Sequence, residues 1–191
     1  MKLLSKLKSF ALCSLLMGCS HSFERTVAHV DRDRFMGPWH VIAGRFTFLE
    51  VDPYNSVESY QWDEKEQKIV VDFHYNKGAF DGPIKKVPQT AWITNTETNS
   101  TWTVSPFWPL RFTYLIIGLG EEGEKYEWTA IGVPSQNYLW IMARDPQFSK
   151  EKTQKVIQYL DSIGYSTKDL VYVKHNTKAI QSTNGTDAPR E

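Results

Sequence analysis

Asp31-Arg-Asp-Arg-Phe-Met-Gly-Pro-Trp-His-Val-Ile-Ala-Gly-Arg45 is the stretch on which the fold turns. At its centre, Gly37-Pro38-Trp39 joins a freely turning backbone to one of fixed φ, followed by the largest side chain available. The run that follows, from His40 to Phe48, suits a β-strand. A bulky Trp at a strand entrance is well placed to plug the end of a closed sheet. Any core Trp after a turn looks the same, so the meaning of the tripeptide depends on whether the remaining residues build a barrel.

Strand-like runs follow one another along the chain. Lys68-Ile-Val-Val-Asp-Phe-His-Tyr75 is the clearest: Ile69, Val71, Phe73 and Tyr75 share one face, with Asp72 and His74 on the other. Trp102 and Val104 alternate with Thr101, Thr103 and Ser105; Phe112, Tyr114 and Ile116 alternate with Arg111 and Thr113. Tyr126, Trp128 and Ala130 alternate with Glu127 and Thr129. With residues 41–48, 56–62, 84–94 and 138–143 this makes eight strands in order, separated by turn-like segments such as 63–66, 95–99 and 120–125. Short links and the lack of βαβ units predict an up-and-down antiparallel barrel or a sandwich.

One amphipathic helix is predicted, over residues 149–163. Ser149 is its N-cap, Val156, Ile157, Leu160 and Ile163 form its apolar stripe, and Gly164 ends it. A helix after eight strands buries its stripe against the outside of a barrel. That accounts for Tyr138-Leu-Trp-Ile-Met-Ala143, which is apolar on both faces. A short strand at 170–173 follows.

The N-terminus reads as an export signal: Lys2, Lys6 and Lys8, an apolar run from Phe10 to Met17, then Gly18-Cys19-Ser20. Leu16-Met-Gly-Cys19 resembles the lipobox of bacterial lipoproteins, cut before the Cys, which is then acylated. Residues 1–18 are expected to be removed, 19–29 to form a lipidated tether, 30–175 to form the domain, and 176–191 to be a polar, disordered tail. With Cys13 in the signal and Cys19 acylated, no disulfide remains, so the core must hold the fold. Ser20, standing where Asp would resemble an inner-membrane retention signal, favours the outer membrane, with the domain facing the periplasm.

Removing three lysines and no acids leaves 19 basic against 22 acidic residues, a balance without the electrostatic footprint of nucleic-acid binding. Aromatic content is the unusual figure, 14% with seven Trp, and suggests an apolar binding cavity or a dense aromatic core. Enzyme readings find little support: no Cys remains as nucleophile, no Gly-x-Ser-x-Gly elbow is present, and the five His lack metal-ligand spacing. No catalytic residue, metal or cofactor is assigned.

The order of these features resembles the lipocalin family, in particular bacterial outer-membrane lipoprotein members. The likeness rests on Arg34-Phe-Met-Gly-Pro-Trp39 at the first strand, Tyr138-Leu-Trp-Ile-Met-Ala-Arg144-Asp-Pro146 at the eighth, and the helix after it, and covers residues 31–174. Asn76-Lys-Gly78 and Ser105-Pro-Phe-Trp108 add to it. Thr129-Ala-Ile-Gly-Val-Pro134 departs from the Thr-Asp-Tyr-like element that many members carry after the sixth strand.

The resemblance implies an eight-stranded antiparallel barrel with a C-terminal helix outside, in which Gly37 and Trp39 close the base and Arg144 packs across Trp39. It also implies reversible binding of a hydrophobic small molecule, with a fatty acid or lysophospholipid as first candidate. Inward parity then nominates Phe73, Tyr75, Trp102, Phe112, Tyr114 and Trp128 as lining residues, each with plain core packing as the rival role. Arg45, Lys77 and Arg111 are candidates for meeting an anionic head group, with solvated surface charge as the rival. The competing functions are an envelope scaffold with a filled barrel docking a periplasmic partner, and a lipid-modifying enzyme. A homodimer is left open.

Overall fold

The computed structural model describes residues 22–176. A short helix, α1 (Arg32–Phe35), precedes eight strands: β1 (Gly37–Arg45), β2 (Pro53–Asp63), β3 (Lys68–Lys77), β4 (Ile84–Ile93), β5 (Thr101–Phe107), β6 (Leu110–Glu122), β7 (Lys125–Gly132) and β8 (Leu139–Ala143). Helix α2 (Lys150–Ser162) and a two-residue strand β9 (Val171–Tyr172) complete the domain. Helix α1 has no counterpart in the sequence reading, because four residues are too few to show a period.

Each strand pairs antiparallel with its successor and β8 returns to β1, so the sheet closes as the resemblance implied. Closure leaves no exposed edge, the stable solution for eight twisted strands. At the seam between β1 and β2 the strands pair over residues 37–40 and 57–60 and then diverge. The C-terminal segment fills the gap: β9 pairs with Ala43 and Gly44, and Asn55 N–H donates to the Lys174 carbonyl at 2.9 Å.

Two apolar clusters divide at the barrel wall. The inner one holds Trp39, Tyr60, Phe73, Trp102, Tyr114 and Met142 among others. The outer one joins Val156 and Leu160 of α2 to Leu115, Ile117, Leu139 and Ile141 on the barrel surface. Alternate residues of β8 therefore serve different cores, which is why that strand is apolar on both faces. Ser149 caps α2 by accepting from Lys152 N–H at 3.2 Å, and Gly164 ends the helix with φ +80°.

The N-terminal segment corrects one expectation. Residues 22–29, assigned to the tether, lie along the barrel. Phe23 N–H donates to the Pro134 carbonyl at 2.9 Å, its ring meets Tyr165 edge-on at 4.8 Å, and Val27 N–H donates to the Ile116 carbonyl. Cys19, residues 1–18 and the tail from 177 onward lie outside the described residues.

Candidate functional site

The two ends of the barrel differ. At the base, Trp39 is fully buried and its indole N–H donates to the Phe35 carbonyl at 2.9 Å. The Arg144 guanidinium lies 3.7 Å from the Trp39 ring centre, a cation–π contact. Burial pulls the pKa of Arg144 down to about 10. Gly37 enters β1 at φ +92°, a conformation that favours glycine, with the guanidinium 3.5 Å from where a Cβ would stand. Phe35, Tyr60 and Trp102 pack around this plug in tilted and edge-to-face contacts, with ring centres 5.1–5.7 Å apart.

Above the plug, a narrow cavity of about 40 Å³ runs toward the open end. Phe73, Val87, Val104, Phe112 and Tyr114 wall it, Trp140 closes one side, and Leu49 and Glu50 reach in from the β1–β2 loop. That loop is pinned over the mouth by Tyr75, whose hydroxyl donates to the Leu49 carbonyl at 2.8 Å and accepts from Val51 N–H at 3.3 Å.

Beside the neutral Thr47 and Gln89, the ionisable side chains in this apolar space include two carboxyls, Glu50 and Glu58. Glu58 sits on the inner face of β2 and accepts from the Tyr114 hydroxyl at 3.3 Å; Tyr114 and Tyr60 share a 2.6 Å hydroxyl contact. Glu50 accepts from the Trp140 indole at 3.0 Å and from Thr47 at 3.1 Å. Burial raises the pKa of each carboxyl to about 7, with hydrogen bonds opposing the shift. Near neutral pH each is protonated part of the time and can then donate a hydrogen bond as well as accept one.

Of the six nominated lining residues, Phe73, Phe112 and Tyr114 face the cavity. Tyr75 acts one step away, holding the loop. Trp102 is buried in the base, its indole N–H bonded to the Asn99 carbonyl at 2.8 Å. Trp128 lies outside, against Tyr159 of α2 and beside Gly118 and Gly120. The cause is a β-bulge: Gly120 pairs with Trp128 but Glu121 pairs with Tyr126, so Glu127 is an extra residue and the faces exchange. Tyr126 thus points inward and Trp128 outward.

The nominated cations are engaged elsewhere or exposed. Arg45 donates to the carbonyls of Asn137, Gln136, Lys168 and Ser166, clamping the β7–β8 loop to the chain after α2. Arg111 lies over Trp92 at 5.5 Å, and Lys77 is exposed. Sequence reading missed Glu58 and Glu50. The signal for Glu58 was present, since it shares the parity of Tyr60 and Trp62; Glu50, in a loop, left none. Among the described residues no group of three or more His, Cys, Asp or Glu side chains is placed to hold a metal ion.

A closed eight-stranded barrel, plugged by Trp39 and Arg144 and hollow above, with one helix against its wall, is the architecture of a calyx-type binding protein. The chain belongs to the lipocalin family: residues 30–175 match the model of the lipocalin-like domain. Among curated proteins it is 25% identical over 166 residues to the outer membrane lipoprotein Blc of Vibrio cholerae, covering 85% of this chain and 95% of that protein. It is 24% identical over 178 residues to outer membrane lipoprotein Blc of Escherichia coli K12, covering 91% and 98%. In fold it is similar to insecticyanin of the tobacco hornworm Manduca sexta (TM-score 0.60, 14% identity, 81% and 86% of the two chains). Lobster apocrustacyanin A1 is another such structure (TM-score 0.58, 13% identity, 78% and 81%).

Proposed function

We propose that this protein is a membrane-anchored lipocalin that binds, stores or carries a hydrophobic small molecule in its calyx, a fatty acid or a lysophospholipid, and that it performs no catalysis of its own. The observation behind this reading is the narrow cavity, blocked below by the Trp39–Arg144 plug and walled by Phe73, Phe112, Tyr114 and Trp140. A thin methylene chain suits such a slot better than a broad ring system does. Each buried methylene contributes about 0.8 kcal/mol, so a dozen offset the cost of association with micromolar or tighter binding remaining. With the loop closed the slot is too small for a full acyl chain, so uptake requires Leu49 and Glu50 to lift.

The anchor is the acylated Cys19, and the lipobox and the names of the relatives support the outer membrane as its location; the periplasmic side is part of the proposal. Native mass spectrometry of the protein extracted from membranes tests the ligand reading, together with quenching of tryptophan emission by added palmitate and lysophosphatidylcholine. A stoichiometric lipid, or saturable quenching that is lost in Phe73→Asp, is the expected result. An interior that takes up neither amphiphile overturns it in favour of a scaffold with a filled barrel.

A further inference from the structure

We propose that the rim of the calyx is a membrane-docking surface that seats the open mouth directly on an anionic phospholipid bilayer. Six of the large apolar side chains left exposed stand on three of the four connections around the mouth. They are Phe48 and Val51 between β1 and β2, Phe80 between β3 and β4 with Ile84 at the start of β4, and Phe107 and Trp108 at the β5–β6 turn. Trp108, 84% exposed, is the most prominent. Water offers such a crown nothing, whereas Trp and Phe at the head-group level bury their apolar bodies.

Charge divides the same way along the barrel axis. The rim presents Lys77, Lys85, Lys86 and Arg111 against Asp52 and Asp81, all exposed. The base is net acidic: Asp63, Glu64 and Glu66 stand against Lys65 and Lys68 around the β2–β3 turn, and Glu121, Glu122 and Glu124 stand against Lys125 around the β6–β7 turn, with Glu121 paired to Arg34 at 3.1 Å. An anionic surface therefore attracts the mouth and repels the base.

The path of the N-terminal segment supplies an independent constraint. Phe23 is fixed to Pro134 and Tyr165 at the mouth end, and the chain runs from there toward the base, where Val30 N–H meets the Thr98 carbonyl. Cys19 precedes Phe23 by four residues, a reach of roughly 14 Å at full extension. A lipid on Cys19 thus holds the mouth end, and not the base, against the bilayer. This part rests on the reading of Cys19 as the anchor; the crown and the axial charge do not. A mouth on the membrane lets an amphiphile pass between bilayer and calyx without crossing water.

The test reconstitutes the full acylated protein in phosphatidylethanolamine–phosphatidylglycerol vesicles with and without brominated acyl chains. Bromine is expected to quench a component of the tryptophan emission that disappears in Trp108→Ser. The unacylated Cys19→Ala protein is expected to bind the same vesicles more weakly. That binding should weaken further with added salt and several-fold in the double variant Phe107→Ser/Trp108→Ser, whose circular dichroism reports an intact barrel. Equal emission from bromine-free and brominated vesicles overturns the proposal. So does a dimer of the Cys19→Ala protein that Trp108→Ser dissolves without any vesicle binding, since the rim then seats a second copy. If mass spectrometry finds Cys19 unmodified, the anchor reading fails, and the salt-dependent vesicle binding alone decides the rim.

Discussion

The Arg144 guanidinium lies 3.7 Å from the centre of the Trp39 ring and from that position donates to the carbonyls of Arg34, Phe35, Met36 and Pro38 at 2.7–3.0 Å. One side chain from the end of β8 thereby stacks on the plug, satisfies the last carbonyls of α1 and joins that helix to the start of β1. A planar fork makes this set of bonds; an ammonium has the charge without the geometry. Arg144→Lys is expected to lower stability measurably and Arg144→Ala more so. Trp39→Ala, which also leaves a large cavity, is expected to cost about 3–5 kcal/mol. Urea denaturation checks the ranking; a neutral Trp39→Ala would show that the plug does not hold the base together.

Glu58 makes stability pH-dependent in a definite direction. Its folded pKa is about 7 against 4.5 for an ordinary glutamate, so between those values the native state binds more protons than the unfolded chain. Its contribution is fully present below pH 4.5 and is lost as pH rises through 7, amounting to roughly 3 kcal/mol. His40 opposes it: burial and neighbouring His175 lower its pKa to about 4, and its Nδ1 is buried without a partner, so its contribution is lost as pH falls from 6.5 to 4. The clean measurement is the difference between wild type and Glu58→Gln across pH 5–8. The variant should gain relative stability as pH rises, and a pH-independent difference would remove Glu58 from the account.

Glu50 and Glu58 also separate the two ligand classes. As they ionise near pH 7, they repel a carboxylate entering the calyx and leave a zwitterionic head group little affected. Palmitate binding is expected to weaken several-fold between pH 6 and pH 8, and lysophosphatidylcholine binding to hold steady. Glu50→Gln should flatten the palmitate profile. Fluorescence titrations at the two pH values decide this, and a profile unchanged by the substitution would place the head group away from Glu50.

Tyr75 links the barrel wall to the loop over the mouth through two hydrogen bonds from one hydroxyl. Tyr75→Phe keeps the ring in the core and frees Leu49 and Val51. Stopped-flow measurements are expected to show faster ligand entry and exit, with stability lower by about 1 kcal/mol. Unchanged rates would mean that another contact holds the loop.

Gly120 tests the outward placement of Trp128. A Cβ at Gly120 would stand 1.8 Å from the Trp128 indole nitrogen, in the packing between the barrel wall and α2. Gly120→Ala is expected to destabilise the protein while leaving ligand affinity in the folded fraction unchanged. A selective loss of affinity would argue that Trp128 reaches the calyx after all.

Much of the molecule was legible in one dimension because its physics is local. Strict alternation marked β3, β5 and the start of β6, a Ser cap and an i, i+3, i+4 stripe marked α2, and the two-sided apolar β8 announced a helix outside. Gly37-Pro-Trp39 and Trp140-Ile-Met-Ala-Arg144 then identified the family. The calyx was only half legible, since which face a residue presents depends on every bulge before it. One extra residue at Glu127 moved Trp128 from the expected lining to the outer wall, and no composition or spacing signals that event. Loops escape periodicity altogether, so Glu50 and its bond to Trp140, ninety residues away, emerge only when the barrel closes. The sequence by itself determined the strand order, the helix, the Trp39 plug and the family. Tertiary structure alone decided the lining, because barrel closure brings distant strands to one cavity and bulges set which side chains reach it.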